Sequence, residues 1–264
     1  MNSDTTARIR NLGASSVPIL TYHSIDESGS IISTEQDVFR WQMEFLSASG
    51  YRTITLSDLA IALSENGSIA PKTVVLTFDD GFKNFYTTAF PILEEFEFTA
   101  TVFLVTDHCG RHNDWPGNPP RLPRSEILSW TDVEELSGYG IDFGGHTRTH
   151  VDLTRLDEQE MLAEIGGSKA ELEDKLGKSS RTFAYPFGRQ NAKVREMVRR
   201  EFDAACSTVL GKVSKSSDLH SLERIDTYYL SNPRMFRAFS KKYFDTYLDA
   251  RQLLRNVKTF AGLN

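Results

Sequence analysis

The chain is poor in the features that mark disulfide-rich, membrane and exported proteins. Its two cysteines, Cys109 and Cys206, lie far apart, so free thiols in a reducing compartment are the simplest interpretation. No apolar run approaches the roughly 20 residues of a membrane-spanning helix. The first residues, MNSDTTARIRNLGASS, lack the apolar segment of a signal peptide. These absences predict a cytoplasmic protein, unless an export signal has been removed.

Excess positive charge is also missing, which argues against nucleic-acid binding. The 264 residues carry 30 lysines and arginines against 36 aspartates and glutamates, a formal net charge of −6. The sequence contains no internal repeat and no low-complexity segment. With 39% hydrophobic and 25% charged residues, the composition is that of an ordinary globular protein, and the length suits one large domain.

Strand-like and helix-like patterns alternate about seven times along the chain. Apolar runs such as 73–78 (TVVLTF) predict buried strands, and segments such as 157–176 predict helices. Such alternation is typical of a parallel α/β sheet or barrel. We therefore predict one such domain over residues 17–232, preceded by a flexible terminus at 1–16 and followed by a helical extension, 233–264, packed on the barrel.

Titratable side chains follow several of the predicted strands. In parallel α/β folds, catalytic and binding residues usually lie at the C-terminal ends of the strands. Asp79 and Asp80 end the strand 73–78, and His146 and His150 follow a later strand with the spacing H-x-x-x-H. Either motif alone has an ordinary explanation, a turn or a surface helix. Together they predict a metal site of two imidazoles and one carboxylate, because residues i and i+4 share a helix face. The second aspartate is then free to accept a proton from an activated water.

Three motifs at these positions resemble a known family. They are TFDDG (77–81), HTRTH (146–150) and FAYPFG (183–188), and they resemble the motifs of the polysaccharide deacetylases, the NodB-homology family of carbohydrate esterases. The resemblance extends over about residues 17–226. It implies an irregular (β/α) barrel of about seven strands.

The resemblance also implies roles for individual residues. Asp79 resembles the catalytic base, and Asp80, His146 and His150 resemble the ligands of a divalent metal, most often zinc. The backbone N–H of Phe187, in the Pro-Phe-Gly turn, resembles the donor that stabilises the oxyanion.

The general acid departs from the common pattern of the family, in which a C-terminal Leu-x-His supplies it. This chain has no convincing copy of that motif but begins with PILTYH (18–23). That start resembles the circularly permuted branch, which includes poly-N-acetylglucosamine deacetylases and carries the acid on its first strand. On this basis we expect His23 to be the general acid and Leu20 to line the acetyl pocket.

A second departure concerns the arginine that orients the base. Many family members have it two residues before the proline of the 183–188 motif, where this chain has Ala184. Arg224 or Arg181 would have to substitute, and we favour Arg224. For the sugar itself, the expected contacts are Tyr22, Tyr185, Pro186 and Trp115, the last from a long proline-rich loop at 107–129.

The resulting hypothesis is a metal-dependent hydrolase that removes N-acetyl groups from an amino-sugar glycan or glycan precursor and releases acetate. Two alternatives remain open: a hydrolase of another carbon–nitrogen amide or of an O-acetyl ester, and a non-catalytic glycan-binding relative. The basic stretch at 236–260 could contact a membrane surface, although a plain packing helix is the favoured interpretation.

Overall fold

The computed structural model describes residues 16–65, 67–118, 122–241 and 243–260, with side chains described as far as residue 257. Almost all of the predicted flexible terminus, 1–16, therefore lies outside the described residues. The same is true of 119–121, at the centre of the proline-rich loop.

A closed ring of parallel strands forms the centre of the molecule, and the predicted seven-stranded (β/α) barrel is confirmed. The ring runs β1-β5-β6-β7-β8-β9-β10 and closes between β10 and β1, while β4 pairs with the first half of β5. β2 and β3 form a separate pair beside it. The strands are β1 (Ile19–Tyr22), β2 (Ser24–Ile25), β3 (Ser33–Thr34), β4 (Arg52–Ile54), β5 (Thr73–Phe78), β6 (Thr101–Leu104), β7 (Asp142–Gly145), β8 (Thr182–Ala184), β9 (Ala204–Leu210) and β10 (Leu222–Asp226).

Helices cover the outside of the barrel and begin where short polar side chains cap their free N–H groups. Capping boxes start α2, α4 and α5, in each of which the cap accepts from the third helical residue and that residue's carboxylate accepts in return. The helices are α1 (Gln36–Ala48), α2 (Leu56–Ser64), α3 (Phe90–Glu95), α4 (Trp130–Gly138), α5 (Glu158–Leu176), α6 (Ala192–Glu201), α7 (Pro233–Ala238) and α8 (Tyr243–Phe260).

The first strand closes the barrel between two strands that come from distant parts of the sequence. Leu20 is in register with Ile225 of β10 on one side and with Leu76 of β5 on the other. Beyond the strand, the N–H of Asp79 donates to the carbonyl of Tyr22 at 3.0 Å. Because all strands of the ring are parallel, the residues that follow β1, β5 and β10 meet at one rim.

The last helix packs against the barrel through a buried apolar side. Phe244 and Leu248 of α8 are fully buried, and Lys212 beyond β9 forms a 2.8 Å ion pair with Asp245. Within the described residues, no helix is long and apolar enough to cross a membrane. The boundary at residue 232 between barrel and extension stays a prediction.

A buried glycine on β7 gives a test of how tightly the barrel is packed. A Cβ on Gly144 would lie 2.6 Å from the carbonyl oxygen of Thr182 and 2.7 Å from the ring of Phe103. We expect Gly144→Ala to lower the free energy of unfolding by about 1–3 kcal/mol, the usual range for overpacking, in urea titrations. Gly138→Ala, with no atom within 4 Å of its new Cβ, is the control. Equal urea midpoints for the two variants would contradict tight packing at β7.

Candidate active site

The predicted ligands converge at the carboxyl rim of the barrel. Oδ1 of Asp80 lies 3.4 Å from Nε2 of His146 and 3.2 Å from Nε2 of His150. One ligand atom from each residue lies within 4.8 Å of the others, and all three side chains are buried. Oδ1 of Asp80 has no hydrogen-bond partner among the described residues. A buried carboxylate oxygen left without a donor, facing two imidazole nitrogens, fits a divalent metal ion.

The ring of His146 is oriented by a hydrogen bond on its far side. Its Nδ1 donates to the carbonyl of Ala184 at 2.7 Å, which leaves the lone pair of Nε2 for the metal site. The H-x-x-x-H segment is not a regular helical turn, because Thr147 and His150 both have positive φ. The turn is held instead by the N–H of His150, which donates to Oγ1 of Thr147 at 2.9 Å.

A bidentate ion pair orients the second aspartate of the doublet. Nη1 and Nη2 of Arg224 donate to Oδ1 and Oδ2 of Asp79 at 2.7 and 2.8 Å, and both side chains are buried. Nε of the arginine donates to the carbonyl of Ser207 at 3.0 Å. Arg181, the other candidate, pairs with Asp203 at the surface. Burial opposes ionisation of Asp79, but the charge and hydrogen bonds of Arg224 outweigh it and lower its pKa.

The histidine at the end of β1 faces the same carboxylate. Nε2 of His23 lies 3.9 Å from Oδ2 of Asp79, and the His23 side chain is 26% exposed, against 6% for Asp79. His23, Asp79 and Asp80 line one cleft with His146 and Arg224. His23, the Asp79 carboxylate and the Asp80, His146 and His150 cluster are therefore close enough to contact one small group.

Backbone strain is concentrated at this cleft. The described part of the chain has six non-glycine residues with positive φ, and four of them are Asp80, Thr147, His150 and Phe187, with φ between 57° and 72°. This left-handed region is costly for residues with a Cβ, and it persists only where the surroundings impose it. The sequence indicates this strained backbone only indirectly, through the glycines that follow Asp80 and Phe187.

Three residues expected to touch substrate do not face the cleft. Leu20 and Tyr22 are buried in the layer between barrel and helices, where the hydroxyl of Tyr22 donates to Gln42 at 2.8 Å. Side chains alternate along a strand, and Thr21 is the residue of β1 that lines the cleft. Trp115 is 3% exposed and packs on His150, so it presents no free face to a sugar ring.

The other expected contacts lie around the cleft. Tyr185 lines it, although its hydroxyl points elsewhere and donates to the carbonyl of His220 at 2.9 Å. Pro186 is buried, and Phe187 is 39% exposed at the cleft edge.

Sequence reasoning missed two charged residues of the cleft, Asp226 and Arg255. Asp226 lies two positions after Arg224 on β10, so the two side chains lie on the same face of the strand. The two-residue period of a strand is therefore the one sequence signal that could have predicted its position. Arg255 comes from α8, and its Nη1 donates to the carbonyl of Thr208 at 3.0 Å. No local pattern links that helix to the barrel rim, because the contact is entirely tertiary.

The model of the polysaccharide deacetylase family matches residues 66–201, slightly more than half of the chain. The chain therefore belongs to the polysaccharide deacetylases, and the predicted family of glycan-deacetylating enzymes is confirmed. The matched range contains the doublet, the H-x-x-x-H segment and the Pro-Phe-Gly turn. His23 and Arg224 lie outside it.

Individual relatives agree with this assignment. The chain is 26% identical over 223 residues to YxkH of Bacillus subtilis (strain 168), whose name places it among the polysaccharide deacetylases; the match covers 84% of this chain and 75% of YxkH. It is 28% identical over 202 residues to a poly-beta-1,6-N-acetyl-D-glucosamine N-deacetylase of Staphylococcus epidermidis, covering 73% of this chain and 66% of that enzyme. The structure of the Streptococcus pyogenes deacetylase PplD in complex with acetate aligns with a TM-score of 0.72 and 28% identity, over 81% of this chain and 92% of PplD.

The ligand cluster predicts one divalent metal ion per chain after dialysis, measured by elemental mass spectrometry. His146→Gln should lose stoichiometric binding, because it removes one of the two imidazoles. His112→Gln is the matched control, since that ring contacts Arg124 outside the cluster. Equal metal content in the two variants would contradict the assignment of His146.

Proposed function

We propose that the protein is a metal-dependent N-deacetylase that hydrolyses the N-acetyl group of an amino-sugar glycan or glycan precursor. The main support is the bidentate Arg224–Asp79 pair placed in one cleft with the Asp80, His146 and His150 cluster. A binding site has no need of a buried, oriented carboxylate beside a metal site, whereas hydrolysis needs a base at that place.

For the metal we propose zinc, held by Asp80, His146 and His150. Two imidazoles and one carboxylate are the donor set of catalytic zinc sites that keep a position open. When bound, such an ion acts as a Lewis acid that polarises a carbonyl and acidifies water.

The residues of the chain divide the remaining work of amide hydrolysis. Asp79, held ionised by Arg224, takes a proton from the attacking water. The backbone N–H of Phe187 donates to the oxyanion that forms from the acetyl carbonyl. His23 in its protonated form donates to the nitrogen of the sugar as the carbon–nitrogen bond breaks. The products are acetate and a free amino group, so one water is consumed for each acetyl group removed.

The proposed substrate class is supported by the names of similar proteins and by the residues that line the cleft. The staphylococcal relative is named for poly-beta-1,6-N-acetyl-D-glucosamine, and PplD was solved with acetate. We propose an N-acetylated glucosamine glycan for this chain as well. Thr21, Asp226 and Arg255 are polar residues that line the cleft in which a sugar would lie. The cytoplasmic location and the membrane contact expected from the sequence stay predictions.

The proposal is tested by acetate release from short N-acetylglucosamine oligomers and from an aryl acetate, with added zinc and with chelator. Asp79→Asn should lower the rate by at least about 100-fold, the lower range for loss of a general base. Asp203→Asn, at the surface pair with Arg181, is the control. Zinc-dependent release from the ester alone would favour the O-acetyl alternative. Undiminished release by Asp79→Asn would exclude the carboxylate as base.

The pH dependence of the rate tests the partnership between Asp79 and Arg224. Since the pKa of Asp79 is lowered, we expect the wild-type rate to fall only below the ordinary aspartate range, roughly pH 4. Arg224→Met removes the strongest of the interactions that oppose the effect of burial, which raises the pKa of Asp79 and moves the acid limb of the rate profile to higher pH. Arg181→Met should leave the limb unchanged. An unshifted limb in Arg224→Met would show that another group controls it.

The same substitution should also lower stability, because it leaves a buried carboxylate without its partner. Such a loss costs about 3–5 kcal/mol, so rates are compared only where circular dichroism shows folded protein.

A further inference from the structure

The two histidines of the metal site are oriented by different means. The far nitrogen of His146 donates to a backbone carbonyl, which is the usual arrangement for a metal-binding imidazole. The far nitrogen of His150, Nδ1, is buried and has no hydrogen-bond partner among the described residues. Among the described residues, the contacts that can fix the plane of the His150 ring are therefore those of packed side chains.

Two aromatic side chains pack against the ring of His150. The Trp115 ring lies 4.8 Å away between centroids at an interplanar angle of 35°, and the Phe187 ring lies 4.6 Å away, edge-on at 73°. These separations lie within the range of favourable aromatic pairs. The two rings come from segments separated in sequence, the proline-rich loop and the Pro-Phe-Gly turn.

Trp115 is itself held firmly. It packs in a small apolar cluster with Phe82, Val105 and Ile127, and is 3% exposed. The arms of its loop are hydrogen-bonded to each other, for example from the N–H of Ile127 to the carbonyl of Arg111 at 2.9 Å. A tryptophan fixed in this way limits how far a neighbouring ring can turn.

The loop also reaches the second ring. A Cβ added to Gly117 would lie 3.2 Å from Cζ of Phe187, and Gly117 has φ of +98°, where glycine is favoured. The loop backbone therefore approaches the Phe187 ring closely, two residues after Trp115. The same short segment thus supplies one of the rings that border His150, that of Trp115, and lies close to the other, that of Phe187.

We propose that Trp115 and Phe187 form an aromatic clamp that positions His150 for metal binding in place of a hydrogen bond. In this arrangement Trp115 is a positioning residue, and the described segment that contains Trp115 and Gly117 is part of the metal site. The inference rests on the proposed metal-dependent function. It assigns to Trp115 a role that does not require contact with the sugar.

The test is zinc affinity, measured by competition with a chromophoric chelator, together with the visible spectrum of the cobalt-substituted protein. Trp115→Leu removes the ring and should weaken zinc binding about 10-fold or more, the scale on which outer-shell partners of metal ligands act. The cobalt bands should shift, because a His150 ring that can turn changes the ligand geometry. Trp115→Phe keeps a ring beside His150 and should restore most of the affinity.

Trp41→Leu is the matched control, since Trp41 packs against Phe45 and Phe236 away from the cleft. It should leave zinc affinity and the cobalt spectrum unchanged. If Trp41→Leu weakens zinc binding as much as Trp115→Leu does, the effect is general destabilisation and the clamp is refuted. Unchanged affinity in a folded Trp115→Leu variant also refutes it.

Phe187→Ala decides the question if Trp115→Leu does not fold, because Phe187 is 39% exposed and its truncation removes little core. Weaker zinc binding in this variant supports the clamp, and wild-type affinity overturns it. Failure of the clamp is distinguishable from failure of the proposed function. If the wild-type protein binds no zinc, the function proposal fails first; if it binds zinc and the variants bind equally well, the clamp alone fails.

Discussion

The buried pair between Arg224 and Asp79 is the interaction on which the rest of the site depends. Its two residues are 145 positions apart, Arg224 within β10 and Asp79 directly after β5, and β1 lies between those strands. The pair exists only if the first strand closes the ring in its observed register. Closing the ring in turn brings His23 to the same carboxylate. Asp79 thus meets Arg224 and His23 at one place, although the three residues lie within or directly after three different strands.

Taking two charges out of water is expensive, and good geometry is what offsets the cost. Here both carboxylate oxygens are matched by guanidinium donors, and the remaining Nε–H is satisfied by the carbonyl of Ser207. By contrast, Oδ1 of Asp80 next door is left without a donor among the described residues. The two neighbouring carboxylates, which would repel each other, therefore face different partners. Asp79 pairs with an arginine, and Asp80 faces a candidate cation site.

Short motifs can be located from the sequence, whereas the direction in which a side chain points depends on the folded structure. The doublet, the two histidines and the Pro-Phe-Gly turn are contiguous or nearly so, and a resemblance can locate them directly. Leu20 and Tyr22 were expected to touch substrate, whereas the residue of β1 that lines the cleft is Thr21. All four residues of this strand are buried, so the sequence pattern does not distinguish its two faces. Trp115 was expected to touch sugar because aromatic residues in long loops often do, yet its loop folds it beneath His150. Arg224 contacts Asp79 and Arg181 does not, but nothing local in the sequence distinguishes the two.

The sequence by itself determined the alternation of strands and helices, the residue types that can hold a metal, and the family to which the chain belongs. These follow from periodicity and from motifs whose members are neighbours along the chain. Only the tertiary structure decided which arginine meets Asp79, that Arg255 reaches the cleft from α8, and that aromatic rings border His150. The physical reason is range: backbone preferences and motif spacing act over a few residues, whereas these contacts join segments brought together when the barrel closes.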